Sequence, residues 1–196
     1  MNMNHKYKLL IFDWDGTLSD SVSRIVHCIQ AAATEHDLEV PTFDEAANII
    51  GLGLKEAIIK LFPAADNLLV AKITASYSDS YRIKDAGPSD FFPYALDTLC
   101  KLKAEGYKLA VATGKSRAGL NRAFKASDID DLFHSSRCAD ETASKPDSLM
   151  LAQLLEEFGL EPDQALMVGD TEYDMDMAQR IKMPRLGVSY GAHHQD

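Results

Sequence analysis

At 196 residues the chain is long enough to bury a full core, and one domain with a sizeable insertion is the natural reading. Hydrophobic residues at 46% and charged residues at 26% suit a soluble globular protein, and a net charge of -10 weighs against a nucleic-acid backbone or an anionic membrane as the main partner. A phosphorylated substrate stays open, because a bound metal can supply local positive charge. Cys28, Cys100 and Cys138 lie too far apart to suggest a disulfide framework or a zinc knuckle. Met1 to Lys8 is polar rather than a cationic-then-apolar leader, and no apolar run approaches the roughly 20 residues that span a bilayer. A reducing, cytoplasmic setting is the expectation.

Leu9 to Phe12 is an uninterrupted apolar run that leads into Asp13-Trp14-Asp15-Gly16-Thr17. Such a run predicts a strand covered on both faces, with Gly16 allowing a tight turn after it. The next 70 residues or so read as helix, with no convincing strand. Ser19 or Asp20 can cap a first helix with apolar positions at Val22, Ile25, Val26, Ile29, Ala32 and Ala33. Thr42 and Glu45 have capping-box spacing, and Gly51-Leu52-Gly53 breaks the pattern. A helix from about Lys55 stops at Pro63, and a long one from about Asp66 to Lys84 ends at Gly87-Pro88.

Beyond Pro93, helix and strand alternate: helix Tyr94 to Ala104, strand Tyr107 to Ala112, helix Ser116 to Ala126, and an ambiguous apolar stretch at Leu132-Phe133. Helix Asp147 to Phe158, strand Ala165 to Val168, a helix carrying Asp174, and a last strand at Leu186 to Val188 complete the chain. The expected fold is α/β, a doubly wound parallel sheet with an inserted helical unit. Residues 1–18 and 89–196 would form the core, and 19–88 the insertion.

Four strand ends carry polar groups: Asp13 with Asp15, Thr113-Gly114, Ser144-Lys145-Pro146, and Gly169-Asp170 with Asp174. All carboxyl ends of a parallel sheet open on one edge, so these groups should converge. Their chemistry suits phosphoryl transfer, which needs an in-line nucleophile, neutralised equatorial oxygens and a metal. A carboxylate can be the nucleophile, and Asp13 and Asp170 offer the hard oxygen ligands that Mg²⁺ prefers. Lys145 offers a point charge, and the Thr113 hydroxyl and Gly114 N–H can hold phosphoryl oxygens.

These four segments, in this order, resemble the four motifs of the haloacid dehalogenase-like hydrolase superfamily, and residues 19–88 resemble its small helical cap. Within it the chain looks closest to the phosphoglycolate phosphatase-like branch. The resemblance implies a Rossmann-like core and a Mg²⁺-dependent phosphatase acting on a small phosphorylated metabolite, phosphoglycolate-like or a sugar phosphate. Asp13 would be the nucleophile, and Asp15 the acid that protonates the leaving alcohol and then the base that activates water. Thr113, Gly114 and Lys145 would bind the phosphoryl group, with Lys145 also orienting Asp13. Asp13, Asp15, Asp170 and Asp174 would make up the Mg²⁺ site. No nucleic acid or membrane partner is implied, and the protein would be a monomer or homodimer. Relatives usually continue with another strand and helix where this chain stops at Asp196, so an open sheet edge is expected.

Other readings place less on these residues. Phosphomutase relatives carry a histidine early in the first cap helix, where this chain has Ile25. Metal-free dehalogenases lack the second acid, here Asp15. A signalling receiver also gathers acids, Thr and Lys on a doubly wound sheet, but it needs neither a cap nor that second acid. In the cap, Gly51-Leu52-Gly53 is either a loop reaching over the site or a plain turn, and Lys55 and Arg24 are candidate substrate contacts. His193-His194 reads as a tail, Cys28 as core, and Trp14 as packing on the face opposite the acids.

Overall fold

Five parallel strands form one sheet in the order β3-β2-β1-β4-β5, in a computed structural model that describes residues 6–84, 87 and 90–193. Pro88 and His194 lie outside the described residues. Strand β1 (Leu9–Phe12) sits at the centre, paired with β2 (Lys108–Thr113) on one side and β4 (Ala165–Gly169) on the other. β3 (Ser135–Cys138) and β5 (Arg185–Gly187) are the outer strands. All three residues of β5 are exposed, and among the described residues no further strand pairs with it.

The unbroken apolar run of β1 follows from burial on both faces. Leu10 and Phe12 join Trp14, Leu109, Val111 and Leu120 in one core, beneath α5 (Ala95–Ala104) and α6 (Arg117–Ser127). Leu9 and Ile11 point the other way, into a core with Ala110, Met167, Leu151 and Met177 under α7 (Leu149–Phe158) and α8 (Glu172–Arg180). Trp14 is almost wholly buried against Phe91, Phe124 and Phe133, which agrees with the packing role expected of it.

Between β1 and α5 the chain builds a helical cap: α1 (Val22–Glu35), α2 (Phe43–Ala47), α3 (Leu54–Leu61) and α4 (Asn67–Lys84). The apolar stripe of α1 is buried at Ile25, Val26, Ile29, Ala32 and Ala33, and Cys28 belongs to the same core. Thr42 and Glu45 form the capping box that starts α2. No helix among the described residues is long and apolar enough to cross a membrane.

Two local expectations are corrected. The N-cap of α1 is Ser21, not Ser19 or Asp20, and its hydroxyl turns to Asp15 instead of capping the helix. The ambiguous stretch at Leu132-Phe133 is not a strand: the strand forms at Ser135–Cys138, while Leu132 and Phe133 pack beneath α6 as buried loop residues. Ser-Ser-Arg-Cys has no apolar run because β3 is an outer strand: Ser135, Ser136 and Arg137 are half-buried and hydrogen-bonded, and Cys138 alone is buried in the core.

Candidate active site

The strand order reverses between β1 and β4, and the crevice at such a switch point is where open α/β sheets bind ligands. Asp13 follows β1 with its N–H donating to the Val168 carbonyl at 2.9 Å, and Asp170 follows β4. Thr171 caps α8 in a capping box with Asp174, donating to Asp174 Oδ2 from its hydroxyl (2.7 Å) and its N–H (3.2 Å). That cap turns Asp174 inward, one turn along the helix. Lys145, from the loop before α7, reaches the same point and donates from Nζ to Asp13 Oδ1 (2.5 Å) and Asp174 Oδ1 (2.6 Å). Its side chain is fully buried.

Asp13, Asp170 and Asp174 each direct a carboxylate oxygen to one place, with these atoms all within 4.8 Å of one another. Asp170 is held by the Thr17 hydroxyl (2.8 Å) and the Ala192 N–H (2.7 Å). It is also boxed by two glycines, because a Cβ at Gly16 or Gly191 would lie 2.2 Å from Asp170 Oδ2. Burial raises the Asp13 pKa well above the usual value; Lys145 opposes this, and Asp174 and Asp170 add to it. Burial, with Asp174 beside it, lifts Asp170 to about 6. Lys145 is held above the ordinary lysine value: burial alone would lower it, but Asp13 and Asp174 outweigh that effect.

Among the described residues one ammonium therefore faces three buried carboxylates, and Asp13 Oδ2 is buried with no hydrogen-bond partner. Uncompensated buried charge of this kind is costly. A hard divalent cation with oxygen ligands fits both the donor set and the orphaned oxygen.

Asp15 behaves differently from the sequence-based expectation that it joins this cluster. Its carboxylate is turned to Lys115 Nζ, at 2.8 and 2.9 Å from its two oxygens, and accepts from the Ser21 hydroxyl at 2.7 Å. Lys115 also reaches the Tyr81 hydroxyl of α4 at 3.2 Å and lies 4.7 Å from that ring's centroid. Burial would lower the Lys115 pKa, yet Asp15 and Tyr81 overcome it and hold the group charged. Sequence reasoning gave no role to Lys115, Ser21 or Tyr81. The only available signal was the position of Lys115 directly after Thr113-Gly114.

Thr113 ends β2, is buried, and accepts from the Lys115 N–H at 3.1 Å. Gly114 sits beneath the cap: a Cβ there would lie 2.3 Å from the Leu52 carbonyl oxygen and 2.7 Å from that of Gly51. The Gly53 N–H donates to the Ser144 hydroxyl at 2.8 Å, so Gly51-Leu52-Gly53 is the loop that reaches the core, not a plain turn. Lys55 is exposed, and Arg24 pairs with Asp90 at 2.6 Å. His193 is docked, not a loose tail: Nδ1 accepts from the Glu172 N–H at 3.2 Å, and the ring meets Tyr173 edge-on. A cavity of about 320 Å³ opens between the cap and this edge of the sheet, reaching Asp13, Asp15 and Thr113.

Residues 10–188 match the haloacid dehalogenase-like hydrolase family. The chain belongs to that family. This haloacid dehalogenase-like hydrolase is 34% identical to the probable phosphatase IndB of Dickeya dadantii, over 96% of this chain and 84% of that one. It is 30% identical to the phosphoglycolate phosphatase of Aliivibrio fischeri, over 95% and 86% of the two chains. The crystal structure of a predicted phosphoglycolate phosphatase from Haemophilus somnus 129pt superposes with a TM-score of 0.84 at 27% identity, covering 96% of this chain and 88% of that one. The five-stranded sheet and helical cap are thus those of the phosphoglycolate phosphatase-like branch of the hydrolase family.

Proposed function

We propose that the protein is a Mg²⁺-dependent phosphatase that hydrolyses a small phosphorylated metabolite through an aspartyl-phosphate on Asp13. The observation that carries this reading is the setting of Asp13. One of its oxygens is fixed by Lys145 and the other lacks a partner among the described residues, beside a cluster of acids and in the lining of the same cavity as Thr113.

Asp13, Asp170 and Asp174 would hold Mg²⁺, which when bound would neutralise the carboxylates and the phosphoryl oxygens. Thr113 and Gly114 bind the phosphoryl group through a hydroxyl and a backbone N–H, and Lys145 keeps the Asp13 carboxylate aimed. An Asp13 oxygen forms a bond to phosphorus as the bond from phosphorus to the substrate alcohol breaks. Asp15, once its ion pair with Lys115 opens and it takes a proton from solvent, gives that proton to the departing alcohol. It then takes a proton from the water that attacks phosphorus and breaks the bond to Asp13, releasing phosphate. The cap loop at Gly51 to Gly53, seated on Gly114 and Ser144, keeps bulk water out during the first transfer.

Asp13→Asn should abolish Mg²⁺-dependent release of p-nitrophenol from p-nitrophenyl phosphate. Asp15→Asn should slow turnover by about 10²- to 10⁴-fold, the usual worth of a positioned acid–base. Wild-type activity in folded Asp13→Asn would overturn the mechanism.

A further inference from the structure

The cavity between cap and sheet has a polar floor and apolar walls. Its floor is Asp13, Asp15 and Thr113, and the cap contributes Ile25, Ile29, Ile49 and Ile50, all buried, with the rings of Tyr77 and Tyr81 alongside. Three basic residues also line it. Arg82 and Arg122 are exposed, and Arg82 is paired with Asp79 at 2.9 Å. Lys115 lies deeper, but it already holds both oxygens of Asp15 within 2.9 Å. The cap side of the lining is therefore mainly aliphatic and aromatic where the alcohol half of a substrate would lie, with Ser78, Asp79 and Arg82 as its polar members.

We propose, resting on the phosphatase reading above, that the substrate is a phosphate monoester whose alcohol carries an apolar alkyl or aryl body, not a short carboxylated one. A carboxylate placed among these isoleucines would lose its hydration away from the exposed guanidiniums of Arg82 and Arg122, with Lys115 engaged by Asp15, whereas methylene groups would gain by leaving water. The volume of about 320 Å³ lies at the small end of the roughly 300–1,000 Å³ range of ligand pockets. It thus sets a ceiling on chain length.

The test compares ethyl, butyl, hexyl and octyl phosphate with phosphoglycolate as substrates in the presence of Mg²⁺. In parallel, alkylphosphonates of the same lengths, whose carbon–phosphorus bond is not cleaved, are titrated by calorimetry. Both kcat/KM and phosphonate affinity should rise roughly threefold to fourfold per methylene until the cavity is full, then level off. Phosphoglycolate should fall below butyl phosphate by at least about tenfold, the equivalent of two methylenes. A flat alkyl series, or phosphoglycolate turned over faster than butyl phosphate, would overturn the proposal while leaving the phosphatase reading intact. Phosphonate affinity that climbs with length, with no ester hydrolysed, would support the apolar cavity and sink the phosphatase reading instead.

Discussion

Replacing Lys145 by Met isolates the charge balance at the centre of the site. The side chains are similar in length, so the change removes the ammonium with little loss of volume. What remains is Asp13 and Asp174, both buried, each having lost a contact of 2.5 or 2.6 Å, with Asp170 close by. Removing one partner of a buried ion pair costs about 3–5 kcal/mol, because the other charge is left uncompensated. For a domain of this size each kcal/mol moves the melting midpoint by about 2–4 °C, so the metal-free variant should melt roughly 6–20 °C below the wild type. The deficit should shrink at pH 5 and grow toward pH 8. With the ammonium gone the carboxylates take up protons more readily, and each proton bound relieves the repulsion. Mg²⁺ should recover part of the loss and raise the variant's midpoint by more than it raises the wild type's. The assay is thermal or urea unfolding across pH with and without the cation. A metal-free variant within about 1 kcal/mol of the wild type at pH 7.5 would show that the lysine does not balance the acids, since 3–5 kcal/mol is expected for a buried pair.

Other outcomes follow from the same geometry. Mg²⁺ at 100 times its dissociation constant should stabilise the fold by about 2.7 kcal/mol, and Asp170→Asn should remove most of that gain in a thermal-shift titration. Asp170 takes its proton at about 6 in the folded, metal-free protein against a usual 3.8, so its protonated form stabilises that state fully below 3.8 and less as pH rises through 6. A cation needs the ionised form, so the Mg²⁺-induced shift should fade as pH falls through about 6. Gly114→Ala should cost about 1–3 kcal/mol of stability and impair turnover, because its Cβ would meet the Leu52 backbone carbonyl at 2.3 Å and keep the cap loop from seating. Equal kcat/KM in the alanine variant would show that the cap need not approach this closely.

Much of the architecture is written in local patterns. The apolar run of β1, the 3–4 spacing of α1 and the Thr42 and Thr171 caps arise within a few residues, and they form where those residues stand. Motifs at three strand ends mark where acids and hydroxyl meet, because a parallel sheet sends all its carboxyl ends to one edge, whereas Lys145, expected at a fourth, comes from the loop well beyond Cys138 that leads into α7. Strand β3 was not legible: an outer strand needs no apolar run, and Leu132-Phe133 gives a stronger signal while serving a helix. The turn of Asp15 away from the cluster was likewise hidden. It depends on Lys115, 100 residues distant, and on Ser21, whose proximity no periodicity encodes. His193 looks like part of a polar tail until its ring is seen against Tyr173.

The pairing of β1 with β4 has a consequence for synthesis. Asp13 is made well before the two strands that flank its own, which begin at Lys108 and Ala165. Until the ribosome has released the segment through Asp174, the aspartates cannot gather, and a nascent chain exposes a lone acidic turn with no place to seat a cation. Chemical competence thus arrives late and all at once, and any fragment ending before β4 should be inert however well its helical insert folds.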